Sequence, residues 1–377
     1  MKKAIGFIVF LLVIGVGGYF VLQNYFPSLV PPSKDIKQFL PANVNTDTPL
    51  KIPSGYTLDV YYDLNGGRPT VLSFDSRGTL FVVLTNNGKI IALPDFDQNL
   101  KPEREVEIVK GLNKPFGIDF NGPYLYVAES DKVSRYDYNS GTMSVSNKRV
   151  LFDLPNAGKN STRFLKVFGD KLYVSVGSTC NACVEKNNLN AAILVSNLDG
   201  SGLKVFAKGL RNTMFFDIDK TGKIWGTDIG RSGLGDSQPD DEINLISEGK
   251  DYGWPFCFGN MVKDYKMPSS TSVNCENTVG SIFNLPAHSV PYGVLFDSGG
   301  DLLVALHGSN VSGKSVGYKI VRLSIFADSV SAEEDLLSGF VQGTNEVLGQ
   351  PTGLAIDKSD NLYISDDKSG LIYILKR

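Results

Sequence analysis

Histidine is almost absent from this chain, and several common catalytic motifs are missing. The 377 residues include only two histidines, His288 and His307. There is no G-x-S-x-G, no G-x-G-x-x-G after a strand, no P-loop and no H-E-x-x-H. These absences make a serine hydrolase, a dinucleotide oxidoreductase and a zinc protease poor interpretations. Both histidines fall at the ends of apparent strands, where each is either an acid–base group or a structural histidine.

The chain also lacks a strong charge of either sign. Its formal net charge is -3, and it has no long basic run. Nucleic acid is therefore not an expected partner, because phosphate binding needs concentrated Lys and Arg. What the chain does contain is 39 glycines, 18 prolines, 22 phenylalanines and 16 tyrosines, a composition that favours a turn-rich β protein.

One long uncharged run stands at the N-terminus, from Ala4 to Gln23, preceded by Lys2 and Lys3. Its length predicts a transmembrane helix within residues 1–25, with a cleaved signal peptide as the alternative. No Lys or Arg follows until Lys34, so the positive-inside rule places the rest of the chain on the extracytoplasmic side. Residues 26–51 are rich in proline and read as an extended linker. We therefore expect a membrane-anchored, extracytoplasmic protein.

Cysteine is scarce, with four residues in the chain. Cys180 and Cys183 form a C-x-x-C, and Cys257 and Cys275 bracket a loop. Pairing each couple is the simplest of three possible connectivities, and it fits an oxidising compartment. A four-cysteine zinc site and a thioredoxin-like redox pair are the alternatives.

A repeat of an apolar run, a glycine-containing turn rich in Asp and Asn, and a second short strand recurs along the chain. Its six copies are residues 71–84, 117–130, 165–178, 215–230, 294–308 and 354–370. Each copy predicts a hairpin, and the spacing predicts an all-β, six-bladed β-propeller over residues 52–377. The segment at 55–62 would then close the ring as the outer strand of the last blade. A pair of β-sandwiches and a solenoid are the alternatives.

The segment from 208 to 257 concentrates polar and acidic residues beside the chain's two tryptophans. Its DSQPDDEIN run (236–244) offers carboxylate and amide oxygens on an apparent loop, which are suitable ligands for Ca²⁺. Such acidic runs are also common as solvated loops. Arg211 with Asn212 could bind an anionic ligand at the propeller's mouth, or could form a structural contact between blades.

Several runs together resemble the glucose/sorbosone dehydrogenase family of extracytoplasmic six-bladed propellers. They are GLRN (209–212), DDEINLISEGKDYGWPFC (240–257), LPAHSVPYG (285–293), ALHGS (305–309), GYKIVRL (317–323) and LYISDDKSGLIYIL (362–375). The resemblance implies sugar oxidation with pyrroloquinoline quinone (PQQ) and Ca²⁺. It implies that Arg211 and Asn212 lie near the quinone, and that Glu242 and the carbonyl of Tyr252 bind the metal.

The chain departs from this family at the position of the catalytic base. Many relatives carry Gly-His-x-x-Arg there, and the matching run here ends in Arg163 and has Asn160 in place of the histidine. An amide cannot accept the substrate proton. Since a general base contributes roughly 10² to 10⁴ in rate, the usual mechanism would be severely weakened.

Further departures fall at the expected cofactor pocket. Gln350 stands where relatives often have arginine, and Phe116 where they often have histidine. The HGSNVS run keeps His307 but lacks the usual tryptophan and arginine. Gln350 and His307 remain candidate cofactor-binding residues, in a pocket that has fewer basic side chains than that of the relatives.

Two functions therefore follow from the sequence. The first is a membrane-anchored, PQQ- and Ca²⁺-dependent sugar dehydrogenase in which His288, His307 or a carboxylate serves as the base. The second is a non-catalytic propeller that binds a glycan, a small ligand or a protein at the cell surface.

Overall fold

A computed structural model describes residues 49–155, 158–268, 272–343 and 345–377. The predicted transmembrane helix and nearly all of the linker lie outside these residues. Within the described ranges, no helix combines the length and the apolar character needed to cross a bilayer.

Six four-stranded antiparallel sheets make up the described chain, and strand β1 (Thr57–Asp63) belongs to the last of them. Blade 1 contains β2 (Val71–Phe74), β3 (Leu80–Leu84), β4 (Lys89–Leu93) and β5 (Val106–Val109). Blade 2 contains β6 (Gly117–Asn121), β7 (Tyr124–Ala128), β8 (Lys132–Asn139) and β9 (Ser144–Asp153). Blade 3 contains β10 (Leu165–Phe168), β11 (Lys171–Val176), β12 (Ala192–Asn197) and β13 (Lys204–Lys208).

The second half of the chain repeats this plan with longer connections. Blade 4 contains β14 (Phe216–Ile218), β15 (Ile224–Asp228), β16 (Asp241–Ile246) and, after the two-stranded hairpin β17 (Cys257–Phe258) and β18 (Val262–Lys263), β19 (Phe283–Leu285). Blade 5 contains β20 (Pro291–Phe296), β21 (Leu302–Leu306), β24 (Lys319–Phe326) and β25 (Ser329–Leu337), interrupted by the hairpin β22 (Ser309–Val311) and β23 (Lys314–Val316).

Blade 6 follows a third small hairpin and completes the ring. The hairpin is β26 (Val341–Gln342) and β27 (Glu346–Val347), and the blade is β28 (Pro351–Ile356), β29 (Leu362–Asp366), β30 (Leu371–Lys376) and β1. Two short 3-10 turns, Thr85–Asn87 and Cys275–Asn277, lie in connections.

The six blades close on one another, which confirms the predicted propeller. The innermost strands touch in the order β2, β6, β10, β14, β20 and β28, and β28 returns to β2. As predicted, β1 supplies the outer strand of the last blade and pairs antiparallel with β30. The six predicted hairpins are the first two strands of each blade, so the sandwich and solenoid alternatives do not apply.

Aspartates at the first position of four inner hairpins explain why the repeat sets the strand register. In blade 1 the Asp75 carboxylate accepts the backbone N–H groups of Arg77 and Thr79, at 2.9 and 2.8 Å. Gly78 takes a positive φ of 87°, which glycine adopts without strain. Asp219 and Asp357 each accept two backbone N–H groups in the same way, and Asp297 accepts that of Asp301. These side-chain turns fix where each second strand begins.

The hydrophobic core is distributed between the blades. Separate clusters of buried side chains join blades 2 and 3, blades 5 and 6, and blades 6 and 1, while the largest cluster spans blades 1 to 5. At one end of the central channel, Phe116, Phe164, Phe215 and Tyr292 contact one another through their rings. No blade could bury these faces alone, so stability depends on the complete ring.

Both predicted disulfides are confirmed, between Cys180 and Cys183 and between Cys257 and Cys275. No free cysteine is present in the described residues. These pairings exclude the four-cysteine zinc site. A thioredoxin-like redox pair would need a βαβ unit, whereas Cys180 and Cys183 lie between β11 and β12 of an antiparallel blade.

Candidate functional site

All predicted site residues lie on one end of the propeller, here called the upper face. It is the end at which each first strand begins and each second strand ends. Because the strands are antiparallel, third strands begin there and fourth strands end there as well. The residues that the chain brings to this face are Asn160, Arg163, Arg211, Asn212, Glu242, Tyr252, His307 and Gln350. His307 and Gln350 lie at blades 5 and 6, and the other six lie at blades 3 and 4.

The acidic run of blade 4 is a loop only over residues 236–240, and its second half is a strand that the sequence did not suggest. Asp241 to Ile246 form β16, so neighbouring side chains point to opposite sides. Asp241 accepts the backbone N–H groups of Gly230 and Val290, both at 2.8 Å, and ties blade 4 to blade 5. Burial raises its pKa to about 6. Asp236 is exposed, so these residues do not form one ligand cluster.

Glu242, in contrast, forms a buried pair with Asp228. The two residues face each other in the β15–β16 ladder, and both side chains are buried. Burial raises the pKa of Asp228 well above its usual value, and the charge of Glu242 adds to the rise. Burial likewise raises the pKa of Glu242, although hydrogen bonds from Asn244 and Gly259 oppose it. Two adjacent buried carboxylates are unfavourable unless protons or a cation neutralise them.

A small cavity of about 20 Å³ lies between these carboxylates and the segment that follows β16. Its lining includes Asp228, Glu242, Tyr252, Trp254 and Arg211. A cavity holds one water when its volume exceeds about 10–15 Å³, so this one has room for a single water-sized species. The backbone N–H of Tyr252 donates to Lys208 O at 2.9 Å, which fixes the segment beside the end of blade 3.

Arg211 crosses from blade 4 to the disulfide loop of blade 3. Its guanidinium donates to the backbone and side-chain oxygens of Asn181, both at 3.2 Å, and to Ile229 O at 2.9 Å. The guanidinium also lies 5.5 Å from the ring centre of Trp254. Burial lowers the pKa of Arg211, and the nearby Asp228 and Asp241 partly restore it. Arg211 therefore combines an inter-blade contact with a fixed positive charge beside the cavity.

Asn212 and Asn160 pack against each other around Gly177. A Cβ on Gly177 would lie 2.6 Å from Asn212 Oδ1 and 2.8 Å from Asn160 Cβ, so only glycine fits. Asn160 donates from Nδ2 to Ser178 O at 2.7 Å. Asn212 is buried, and its Oδ1 has no hydrogen-bond partner among the described residues. Neither amide can act as a base, and Asn160 serves here to hold the end of β11.

Arg163, a predicted catalytic residue, is 0% exposed. Its Nη1 donates to the carbonyl oxygens of Asn160 and Thr162 at 2.8 and 2.9 Å. Burial lowers its pKa to about 10, and no ion pair forms with it in the described parts of the chain. Arg163 therefore supports the loop that carries Asn160, and its side chain cannot contact a ligand on the surface.

His307 belongs to a polar network that joins blades 5, 6 and 1. Its Nε2 lies 3.1 Å from Asp367 Oδ1, and its Nδ1 lies 3.3 Å from Gln350 Nε2. The imidazole stacks on Tyr292, with ring centres 4.5 Å apart. Arg68 donates to the other Asp367 carboxylate oxygen at 2.9 Å. Burial raises the pKa of Asp367, but His307 and Arg68 outweigh it and keep that pKa below its usual value.

The carboxylate of Asp367 fixes which nitrogen of His307 carries the proton. With Nε2–H donating to Asp367, Nδ1 is left as an acceptor, and the Gln350 amide donates to it. His307 is thus oriented as a proton acceptor at Nδ1. Within the described residues, the ring of the second histidine, His288, has one hydrogen-bond contact, from Nε2 to Gly235 O at 2.9 Å, and no carboxylate orients it.

Sequence reasoning missed Asp228, Asp367 and Arg68. The signal for Asp228 was its place at the end of a strand whose partner begins with Glu242, but the pairing register was needed to see it. Phe116, which stands where relatives often have histidine, is 2% exposed and belongs to the aromatic cluster in the channel. It packs against Phe215 and offers no surface to a ligand.

A TrAA12-like family model matches residues 50–377. An uncharacterised protein of Borreliella burgdorferi is 30% identical over 349 residues, covering 86% of this chain and 90% of that protein. A PQQ-dependent pyranose dehydrogenase of Coprinopsis cinerea is 25% identical over 382 residues, covering 82% of this chain. The match spans about half, 52%, of the Coprinopsis protein.

Solved structures share the fold. The holo form of the pyranose dehydrogenase PQQ domain of Coprinopsis cinerea has a TM-score of 0.76 at 22% identity, covering 90% of this chain and 99% of that one. A calcium structure of a Trichoderma reesei protein of carbohydrate-active enzyme family AA12 has a TM-score of 0.75 at 21% identity, covering 89% and 98%. The family resemblance and the six-bladed fold are both confirmed by these matches.

Proposed function

The chain belongs to the TrAA12-like family, and from this membership and the upper-face geometry we propose that it is an extracytoplasmic aldose dehydrogenase dependent on PQQ and Ca²⁺. The observation that carries the proposal is the buried Asp228–Glu242 pair beside the guanidinium of Arg211. Relatives that are named as PQQ-dependent sugar dehydrogenases support the class of reaction. The N-terminal uncharged run supports attachment to the membrane.

A divalent cation fits the blade 4 cavity. Asp228 and Glu242 supply carboxylate oxygens, and Asn244 Oδ1 is buried without a hydrogen-bond partner in the described structure. Asn244 lies two residues from Glu242 on the same side of β16 and donates to it at 3.0 Å. Hard oxygen ligands of this kind suit Ca²⁺. Glu242, Asp228 and the carbonyl of Tyr252 would hold the ion.

The quinone would lie on the open face beside this cavity, because the cavity itself admits only one water-sized species. Arg211 would face its carboxylates. Arg68 and Gln350 offer donors at the opposite side of the face. Bound PQQ supplies the two-electron acceptor for oxidation of a sugar carbon.

His307 is the residue that we assign as the proton acceptor. Asp367 holds its Nε2–H, so Nδ1 can take the proton of a sugar hydroxyl that displaces the Gln350 amide. Arg68 keeps Asp367 ionised, which stabilises the imidazolium that forms. Asn160, at the position where the family has its histidine, cannot take this role because its amide has no basic nitrogen.

Reconstitution with PQQ and Ca²⁺, followed by dye-linked oxidation of a panel of aldoses, tests this function. We expect turnover of at least one aldose, a fall of about 10²- to 10⁴-fold for His307→Asn, and no comparable fall for His288→Gln, the matched control. Asn160→His, which adds a base at the family position, should raise turnover. Absence of turnover with every aldose would contradict the proposal and leave the non-catalytic propeller.

A further inference from the structure

Exposed apolar side chains on the upper face concentrate at one place. Among the described residues, Val184, Met261, Val262 and Tyr265 are 61%, 38%, 45% and 81% exposed. The other exposed large apolar residues lie in turns of the opposite face or on the outer strand β9. A contiguous exposed apolar region on a soluble domain usually marks an interaction surface.

These side chains belong to two loops that contact residues 232–233, in the β15–β16 connection of blade 4. Asn181, in the loop of Val184, donates to Ser232 O at 3.1 Å. Lys266, next to Tyr265, donates to Gly233 O at 3.0 Å. The hairpin β17–β18 and its continuation to residue 267 are called the apolar hairpin below.

The apolar hairpin is held out of the core by buried polar contacts at its base. Arg231 pairs with Asp264 through Nε at 2.5 Å and Nη2 at 2.9 Å, and both side chains are buried. The Gly259 N–H donates to Glu242, and the Cys257–Cys275 disulfide joins the hairpin to the next turn. Met261, Val262 and Tyr265 therefore cannot fold back to cover themselves.

Three lysines lie near the apolar tips. Lys263 Nζ lies 6.0 Å from the centre of the Tyr265 ring, and Lys266 follows directly. Lys186 is exposed beside Val184. The carboxylate within the hairpin, Asp264, is buried against Arg231. Apolar and tyrosine side chains flanked by lysines suit the interface of an anionic bilayer, where the rings enter the headgroup region and the lysines meet lipid phosphates.

The chain's own course brings a bilayer within reach. The uncharged run of residues 4–23 precedes the propeller, and the chain joins the ring where Lys51 pairs with Ser338. Ser338 follows the fourth strand of blade 5, so the junction lies at the upper face. The intervening residues, from 24 to 50, span at most roughly 90 Å when extended. That length lets the upper face reach the membrane that the run would enter.

We propose that the apolar hairpin docks on an anionic lipid bilayer and turns the rim between blades 3 and 4 toward the membrane. This surface is separate from His307 and its network, and docking requires no catalytic turnover. It places the upper face, where sugar oxidation is proposed, near the bilayer surface.

Vesicle flotation tests the docking with residues 49–377, which contain the complete ring with its β1–β30 closure and lack the uncharged run. Vesicles of phosphatidylcholine with phosphatidylglycerol are compared with vesicles of phosphatidylcholine alone. We expect binding to the anionic vesicles and a loss of about tenfold in affinity in the triple variant Met261→Ser, Val262→Ser, Tyr265→Ser. The matched control, Phe168→Ser with Phe326→Ser, removes exposed rings from the opposite face and should bind like the wild type.

Thermal melting of each variant verifies that it is folded before flotation. Failure of the wild-type fragment to float, or equal flotation of the triple variant, would overturn the proposal. A second copy of the chain is the alternative occupant of this surface, and sedimentation velocity tests it. A dimer that forms in the wild type and is lost in the triple variant would assign the surface to self-association. Since the fragment needs neither quinone nor anchor, failure here leaves the dehydrogenase proposal standing.

Discussion

Asp228 and Glu242 place two carboxylates in one buried cavity, and this arrangement needs a compensating charge. Two guanidinium groups of the described residues line the cavity, and Arg211 has no carboxylate partner of its own, whereas Arg231 is paired with Asp264. The pKa values of both acids are raised because the buried, charged carboxylates remain unfavourable. A bound cation would neutralise the two buried carboxylates, so metal binding and folding stability should be coupled at this site.

Calcium should therefore raise the thermal midpoint of the wild type, and chelation should lower it. At a free Ca²⁺ concentration about 100-fold above Kd the stabilisation is about 2.7 kcal/mol. Glu242→Gln should lose most of the shift, because it removes one ligand charge. Asp240→Asn, a change at the neighbouring and less buried carboxylate, is the matched control and should keep it. Differential scanning calorimetry with Ca²⁺ or EDTA measures both, and a full shift in Glu242→Gln would refute the assignment.

For single residues, the sequence could predict which positions belong to the site but not how buried each side chain is or which groups it contacts. Glu242 and Tyr252 were named from the family motif, and both line the cavity. Arg163 was also named, yet it is enclosed by backbone carbonyls, because nothing in its local sequence reveals burial. Asp367 follows His307 by 60 residues in the sequence, and the packing of blade 6 against blade 5 brings the two side chains together.

Aspartates of two inner strands accept hydrogen bonds from the backbone of the inner strand in the next blade. Asp119 of blade 2 accepts the backbone N–H of Val167 in blade 3, at 2.7 Å. Asp217 of blade 4 accepts that of Phe296 in blade 5, at 2.9 Å. Lys166 of blade 3 lies between the two acids and pairs with Asp217 at 2.9 Å. Three neighbouring inner strands thus share one charged cluster.

Lys166→Met should destabilise the protein by about 2 kcal/mol, because Asp119 and Asp217 would lose their counter-charge in a partly buried setting. Burial lowers the pKa of Lys166, but Asp217 and Asp119 raise it further, so the net shift is upward. The stabilisation is therefore present at neutral pH and is lost only as pH rises through the raised value. Chemical denaturation measures the change. Lys171→Met, at an exposed pair with Asp170, is the control, and equal stability of the two variants would contradict the role of the cluster.

The elements themselves were predictable where turn chemistry is local. The six hairpins were predictable because Asp, Asn or Gly residues mark each turn, and in four of them an aspartate carboxylate accepts backbone N–H groups of the turn. In the acidic run of blade 4 the sequence predicts a loop throughout, whereas the part from Asp241 is a strand that pairs with β15 on one side and β19 on the other. Pro239 and the neighbouring carboxylates mask the start of that strand. The apolar hairpin that follows has no counterpart in the repeat, so the pattern could not anticipate it.

In the whole molecule, the repeated segments build the closed ring, and the irregular segments carry the proposed functional surfaces. The repeat builds six similar sheets, and β1 joins the start of the described chain to its last strand, so that blade 6 has four strands like the other five blades. The departures from the repeat collect on the upper face, in the disulfide loop of blade 3 and the long connection of blade 4. The proposed cation, quinone and membrane surfaces all fall there.

A titration of the calcium-loaded chain with PQQ, followed by the change in quinone absorbance, tests the proposed cofactor site most directly. We expect one quinone per chain, binding that requires Ca²⁺, and clearly weaker binding by Arg211→Gln, with Arg104→Gln on the opposite face as the matched control. Absence of quinone binding at saturating Ca²⁺, or equal affinity of Arg211→Gln and the wild type, would contradict it.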